Sequence, residues 1–284
     1  MRIKDPIVAE IAKGVWCINE FGLDSLFLIE GEKRALLIDT GTGVFDLPAL
    51  IKTLTDKPYD VALTHGHVDH AGGIGWFDDI YLHPADFDAA LHISVDSRKG
   101  FAERTSIGTG VWELTTDDVI AFDHSPATHA IHEGHVFDLG GRHVRVYETP
   151  GHTPGGLSFL IEEERVIITG DACNPNTLMF FTHRPDGSRV PHASIEGLLA
   201  TARKIDSLQP KYDRNYNGHI GFGPLISFMP MTPRITKDII ALCEGILAGT
   251  VQYEIADNGF GGKAAIANCP SGRVQFNPDC LREE

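Results

Sequence analysis

Basic residues are scarce in this chain of 284: Lys and Arg number 24 against 39 Asp and Glu, for a formal net charge of −15. Nucleic acid is held largely by cationic side chains on its phosphates, so this balance speaks against a nucleic-acid partner. Cysteine is also sparse. The five, Cys17, Cys173, Cys243, Cys269 and Cys280, are odd in number, scattered and without a C-x-x-C pair, which fits reduced thiols better than a disulfide framework. No apolar run is long enough to span a bilayer. Met1-Arg2-Ile3-Lys4-Asp5-Pro6 places charges and a proline where a secretory leader has its apolar core. A soluble cytoplasmic protein with no membrane partner is expected. No Ser/Pro/Gln-rich tract or long charge block marks a linker, and a hydrophobic content of 42% suits a globular chain. The length is ample for a large core.

What the chain has is histidine, 14 in all, unevenly placed. Thr64-His65-Gly66-His67-Val68-Asp69-His70 crowds three imidazoles and a carboxylate behind the apolar stretch Val61-Ala62-Leu63. A purely structural turn would leave these cationisable rings side by side without a partner, so the run points to metal. His65 and His67 alternate by two and, in extended backbone, face the same side and reach one ion. Asp69 and His70 follow a turn into a predicted helix over 69–75 and can face a neighbouring position. Both positions remain short of ligands. Three candidates could supply them: His152 in Thr149-Pro150-Gly151-His152, Asp171 in Ile167-Ile168-Thr169-Gly170-Asp171, and His219 in Tyr216-Asn217-Gly218-His219. Each follows a glycine, which lets backbone approach a ligand closely, and each sits near a predicted strand end, the usual place for sites in α/β sheets.

Periodicity predicts strands at 15–18, 26–30, 35–38, 61–63 and 80–82, with a helix over 46–54 and another opening at Pro84 and running through 85–91. An irregular region follows at about 94–133. Strands resume at 136–139, 144–148, 157–161 and 165–168, then helices at 194–207 and 233–247, then strand-like stretches near 251–255 and 273–276. Arg34-Ala35-Leu36-Leu37-Ile38-Asp39 and Arg165-Val166-Ile167-Ile168-Thr169-Gly170-Asp171 echo one another as apolar strands that deliver an Asp at their exit. Pattern alone gives a mixed α/β protein.

Taken together, these residues resemble the metallo-β-lactamase superfamily in its dinuclear hydrolase branch, over most of the chain. The resemblance implies a four-layer αββα sandwich, here one domain over 1–284 with a variable insertion at 94–133 and a strand-rich tail at 251–284. It further implies that His65, His67 and His152 bind a first metal, that Asp69, His70 and His219 bind a second, and that Asp171 bridges them. Asp39, in Asp39-Thr40-Gly41-Thr42-Gly43, matches the family's supporting acid, whose task would be to accept an N–H from a ligating imidazole and fix its tautomer.

A pair of divalent ions about 3.5–4 Å apart holds a hydroxide at neutral pH and polarises a scissile carbonyl or phosphoryl oxygen. Asp69 would orient that hydroxide and pass a proton to the leaving group. Zinc is the first expectation from imidazole and carboxylate donors, with manganese or iron as substitutes. Cys173, two residues past Asp171, reads as a packed thiol. His129, His132 and His135, spaced by three, read as solvated loop residues, and His83 and His143 are read as structural too.

Within the family, Asp171 separates the chain from the β-lactamase branches, one of which has cysteine there while another lacks a bridging acid. It aligns the chain with the glyoxalase II, lactonase and phosphodiesterase side. The acyl-homoserine lactonases share the run from His65 to Gly73 but carry a tyrosine shortly after the bridging acid, where this chain has Asn174. Expected substrate-wall residues are Trp76, Met179, Phe180 and Phe181, with Phe77, His183 and Arg184 as neighbours. The expected partner is a small molecule, and the expected activity is hydrolysis of a small ester, lactone or thioester. The alternatives are a phosphodiesterase on a small phosphate ester, an iron-dependent oxidoreductase of the same fold, or a metal-stabilised module without catalysis.

Overall fold

The computed structural model describes residues 2–184, 186–220 and 227–283. The chain opens with a meander of four antiparallel strands, β1 (Ile7–Ala12), β2 (Val15–Glu20), β3 (Asp24–Glu30) and β4 (Ala35–Ile38). Helix α1 (Leu47–Leu54), capped by Asp46 accepting from the Ala49 amide, then carries it over to β5 (Tyr59–Ala62), which pairs parallel with β4. After the short helix α2 (Val68–Ala71) come β6 (Asp79–Leu82), α3 (Phe87–Leu91), α4 (Val95–Thr105) and β7 (Ala127–Ala130), and the seven strands form one sheet in sequence order.

The next strands are β8 (Val136–Asp138), β9 (His143–Glu148), β10 (Leu157–Ile161) and β11 (Val166–Ile168); β12 (Asn176–Met179) departs, and β13 (Arg214–Tyr216) returns after α5 (Ile195–Ser207). A second sheet has the order β13-β11-β10-β9-β8. Helix α6 (Ile235–Leu247) precedes β14 (Glu254–Asp257), β15 (Lys263–Cys269) and β16 (Gly272–Phe276), which join β12 in a small third sheet ordered β12-β16-β15-β14.

Alternation along the strands decides the layers. Phe27 and Ile29 of β3 point inward with Ile38 of β4, and meet Val144, Val146, Phe159, Ile161 and Ile168 of the second sheet in one apolar core. Leu26 and Leu28 point the other way, onto Leu47 and Ile51 of α1. On the outer face of the second sheet, Leu160 and Ile167 pack under α5 and α6 through Leu198, Ile205, Ile239 and Leu242. Two helical layers thus enclose two sheets, and strands such as Leu157–Ile161, buried at every position, read as near-continuous apolar runs because both faces are covered.

Two expectations need correction. The 94–133 region is not irregular throughout: it holds α4, whose N-terminus Ser94 caps, and β7, which extends the first sheet parallel to β6. The α4 sequence is largely polar and buries only Arg98, Phe101 and Ala102, with the Arg98 guanidinium donating to the Ile120 carbonyl at 2.7 Å. The tail is strand-rich as expected, holding β14, β15 and β16, and β16 pairs parallel with β12, just downstream of Asp171. The helix expected over 69–75 breaks after Ala71 into a 3-10 turn at Ile74–Trp76. Gly73 marks the reason: a Cβ there would sit 2.3 Å from the Thr40 carbonyl oxygen, so the turn lies directly against the loop after β4. Among the described residues no helix is long and apolar enough to cross a membrane.

Candidate metal centre

The loops that leave β4, β5, β9, β11 and β13 converge at one edge of the sandwich. Asp39, straight after β4, adopts φ +64°, a backbone conformation that non-glycine residues seldom take. Its surroundings hold it there. Its Oδ1 accepts the Thr64 amide at 2.7 Å, and its Oδ2 accepts the Thr64 hydroxyl at 2.8 Å and faces His70 Nδ1 at 2.9 Å. The Thr40 amide donates to the His70 carbonyl at 2.8 Å. With Nδ1–H given to Asp39, Nε2 is the His70 atom left to ligate once an ion displaces its proton.

The first donor group is His65, His67 and His152. His67 Nδ1 lies 3.1 Å from His65 Nε2 and 2.9 Å from His152 Nε2, so three ring nitrogens meet at one point. His152 donates Nδ1–H to the Leu178 carbonyl of β12 at 2.8 Å, which leaves Nε2 as its ligating atom and makes the third sheet a support of the site. The second group is Asp69, His70 and His219: Asp69 Oδ2 lies 3.7 Å from His70 Nε2 and 3.5 Å from His219 Nε2. Asp171 lies between the groups, with Oδ2 3.4 Å from His152 Nε2, 3.1 Å from His219 Nε2 and 3.9 Å from His70 Nε2. Gly218 is required here, because a Cβ would stand 2.5 Å from His70 Cε1.

Burial, followed by repulsion between neighbouring rings, holds His65 and His67 well below the usual imidazole pKa, in the neutral form that ligates. His70 behaves oppositely. Burial works to lower its pKa, but the fields of Asp24, Asp69 and Asp39 overcome it and hold the ring well above its ordinary value. In the same way His219 is raised to about 9, burial being outweighed by Asp171, Asp69 and Asp24. Burial also opposes ionisation of Asp171, yet His219, His152 and His70 keep its carboxyl well below the usual range. A divalent ion suits this donor set. His70 Nε2 is fully buried with no hydrogen-bond partner among the described residues, a condition that costs roughly 1–3 kcal/mol unless the atom is engaged.

Three supporting residues escaped the sequence reading. Asp24, at the start of β3, is buried with Oδ2 3.6 Å from His70 Nδ1, and burial raises its pKa well above normal, aided by Asp39 and Asp69 and opposed by His70 and His219. The signal is an acid opening a strand whose centre, Leu26-Phe27-Leu28-Ile29, is apolar. Asp86 is buried and accepts from the Gly66 amide at 3.1 Å, the Thr153 hydroxyl at 2.7 Å and the Gly155 amide at 2.9 Å. It ties the loop of His65 and His67 to the loop of His152. Glu20 accepts from the Thr42 and Gly43 amides and steadies the turn after Asp39; burial lifts its pKa to about 7 against those hydrogen bonds.

Of the expected wall, Phe181 is 38% exposed and its ring centroid lies 5.6 Å from that of His67. Phe180 packs beside it at 4.6 Å. Met179 is a correction: it is 2% exposed and belongs to the core beneath α5 and α6, because the alternation of β12 turns it inward. Trp76 is another, since it packs on the outer core of the first sheet and against Phe122 at 5.3 Å, beside the buried Phe77. His183 and Arg184 are exposed in a short hairpin. Cys173 is a core thiol whose pKa burial drives up. His129 pairs with Asp79 and stacks on Tyr81, while His132 and His83 both face Glu148 Oε1, at 3.2 and 3.3 Å.

The sequence pattern described as the Metallo-beta-lactamase superfamily matches residues 21–219, a span that contains every one of these donors. The chain belongs to the metallo-beta-lactamase superfamily. Its four layers are the metallo-beta-lactamase fold, and it is an enzyme of the metallo-hydrolase kind. A probable metallo-hydrolase of Streptococcus pyogenes is 26% identical over 206 residues, covering 71% of this chain and 81% of that protein. An acyl-coenzyme A thioesterase of Homo sapiens is 23% identical over 228 residues, covering 70% and 74%. A solved sec-alkylsulfatase from Pseudomonas sp. superposes with a TM-score of 0.59 at 16% identity over 85% of this chain; the chain spans only 42% of that protein's length.

Proposed function

We propose that this enzyme hydrolyses a small thioester with two divalent ions, zinc in the first instance, held by His65, His67 and His152 on one side, Asp69, His70 and His219 on the other, and Asp171 between. The observation that carries the proposal is the position of Asp171 Oδ2 within 4 Å of imidazole nitrogens from both groups. When bound, the ions supply an acidified water and a Lewis acid for the carbonyl oxygen. The protein's own residues do the rest. Asp39 and the Leu178 carbonyl keep His70 and His152 in the tautomer that ligates, and Asp69 takes the proton of the attacking water and returns it to the departing sulfur.

A thioester is favoured over an alkyl ester or lactone by the acid available to the leaving group. A thiolate departs with a pKa near about 8.5, so proton return from Asp69 alone suffices, whereas the more basic alkoxide gains from a second positioned acid. At the residue where lactonase-like enzymes carry tyrosine stands Asn174, whose amide donates weakly to Asp171 Oδ1 at 3.5 Å and is no acid. The thioesterase relative supports the same choice. A small-molecule substrate in a reducing compartment fits five free thiols.

The test is turnover by the metal-loaded enzyme of acyl thioesters of cysteamine, set beside p-nitrophenyl esters, a homoserine lactone and bis-p-nitrophenyl phosphate. The expected result is a kcat/KM at least about tenfold higher for the thioester, abolished by chelator. Preference for the phosphodiester, or iron-bound protein active only with dioxygen, would overturn the proposal.

A further inference from the structure

The hairpin between β14 and β15 reads Asp257-Asn258-Gly259-Phe260-Gly261-Gly262, with one aromatic among glycines. Its loop is tightly built. Asp257 Oδ1 accepts the Gly259 amide at 2.7 Å, Asn258 Oδ1 accepts the amides of Phe260 and Gly262 at 2.8 and 3.1 Å, and the Asn258 amide donates to the Gly262 carbonyl at 3.0 Å. These bonds fix the backbone at the tip, and the side chain they present is a phenyl ring 42% exposed to solvent.

That ring does not stand alone. Its centroid lies 5.5 Å from Phe181 and 5.7 Å from Phe180, and Phe181 in turn contacts the His67 ring at 5.6 Å and the His152 ring at 6.5 Å. The Arg104 guanidinium, in the last turn of α4, lies 5.8 Å from the Phe260 ring centroid, within cation–π reach. Two separate segments therefore join in one apolar surface that reaches two imidazoles of the first donor group through Phe181, and a third supplies the Arg104 cation. Exposed large apolar side chains that cluster beside a site mark a ligand surface, whereas singly scattered ones need no explanation.

We infer that Phe260, Phe180 and Phe181 form the binding subsite for an extended apolar acyl group, aryl or medium-chain alkyl, with Phe260 the residue that sets specificity and Arg104 holding its ring. The inference rests on the acyl-transfer reading above and names which acyl groups the site takes. Short acyl groups would reach the metal side without touching Phe260; longer ones would cover it, each buried methylene adding about 0.8 kcal/mol.

The experiment has two arms on the metal-loaded full chain. In the first, hexanoyl and acetyl thioesters of cysteamine are turned over by wild type, Phe260→Ala and Phe260→Tyr. The expected result is a KM for the hexanoyl substrate raised about five- to tenfold in Phe260→Ala, restored by Phe260→Tyr, with kcat and the acetyl KM changed by less than about twofold. In the second arm, hexanoate and acetate binding is measured by calorimetry, without turnover. Hexanoate should bind more tightly than acetate in wild type, and Phe260→Ala should remove that preference. Loss of the preference in a protein that cleaves no thioester would retain the subsite and discard the hydrolytic reading. Equal hexanoate and acetate binding by wild type, or a preference that survives Phe260→Ala, would overturn the inference.

Discussion

The two halves of the metal centre use the same side chain in opposite electrostatic settings. His65, His67 and His152 face one another with one nearby acid, Asp171, and the first two are driven neutral by burial. His70 and His219 are surrounded by Asp24, Asp39, Asp69 and Asp171, and both are held protonated to well above neutrality. His65 and His67 are poised to accept an ion without losing a proton. At the second, carboxylates hold protons on the imidazoles until an ion displaces them, so occupancy there is coupled to pH.

The change that breaks the comparison most completely is Asp171→Ala, because this carboxylate faces donors of both groups. Elemental analysis should find the metal content falling from about two equivalents per chain to one or fewer, with activity reduced by at least about a hundredfold. Asp39→Asn acts on one half only. It weakens the hold on His70 Nδ1–H, and metal affinity should fall about 10–100-fold for the second equivalent with the first unchanged, read by competition with a chromogenic chelator. Asp86→Ala acts on the other half. Leaving the Gly66 and Gly155 amides without their buried acceptor should destabilise the protein by about 1–3 kcal/mol in urea and weaken the first equivalent rather than the second.

The pH effects are smaller and sharpen the same contrast. His219 titrates at about 9 in the folded metal-free protein against an ordinary 6.5. Its contribution to stability is therefore complete below about 6.5 and is lost as pH rises through about 9. Metal binding at the second group must release that proton, and its affinity should fall as pH drops below about 9, whereas His65 and His67, already neutral, have no such proton to release. Calorimetry in buffers of different ionisation enthalpy reads the released protons directly.

Much of the site is legible in sequence because its chemistry is local. His65, His67, Asp69 and His70 fall within six residues, and their spacing alone separates two facing directions. The strands that lead to Asp39 and Asp171 are apolar runs that end in an acid, again a local signal. Asp24 and Asp86 are different, since each acquires its role only when sheet pairing and loop packing bring it to residues far along the chain. Phe260 is further still, carried to Phe181 beside His67 by the pairing of β15 with β16 and of β16 with β12. Met179 and Trp76 fail as wall residues because an aromatic or thioether beside a ligand carries no mark of which face it takes. Helix α4 is missed because only three of its eleven residues are buried, too few to leave a periodic stripe.

The most direct measurement is metal content per chain, determined by elemental analysis on wild type and His219→Ala purified without chelator. The expected result is about two equivalents in wild type and about one in the variant, the remaining ion held by the first group. A single equivalent in both proteins, insensitive to the loss of His219, would contradict a centre built from two unequal halves.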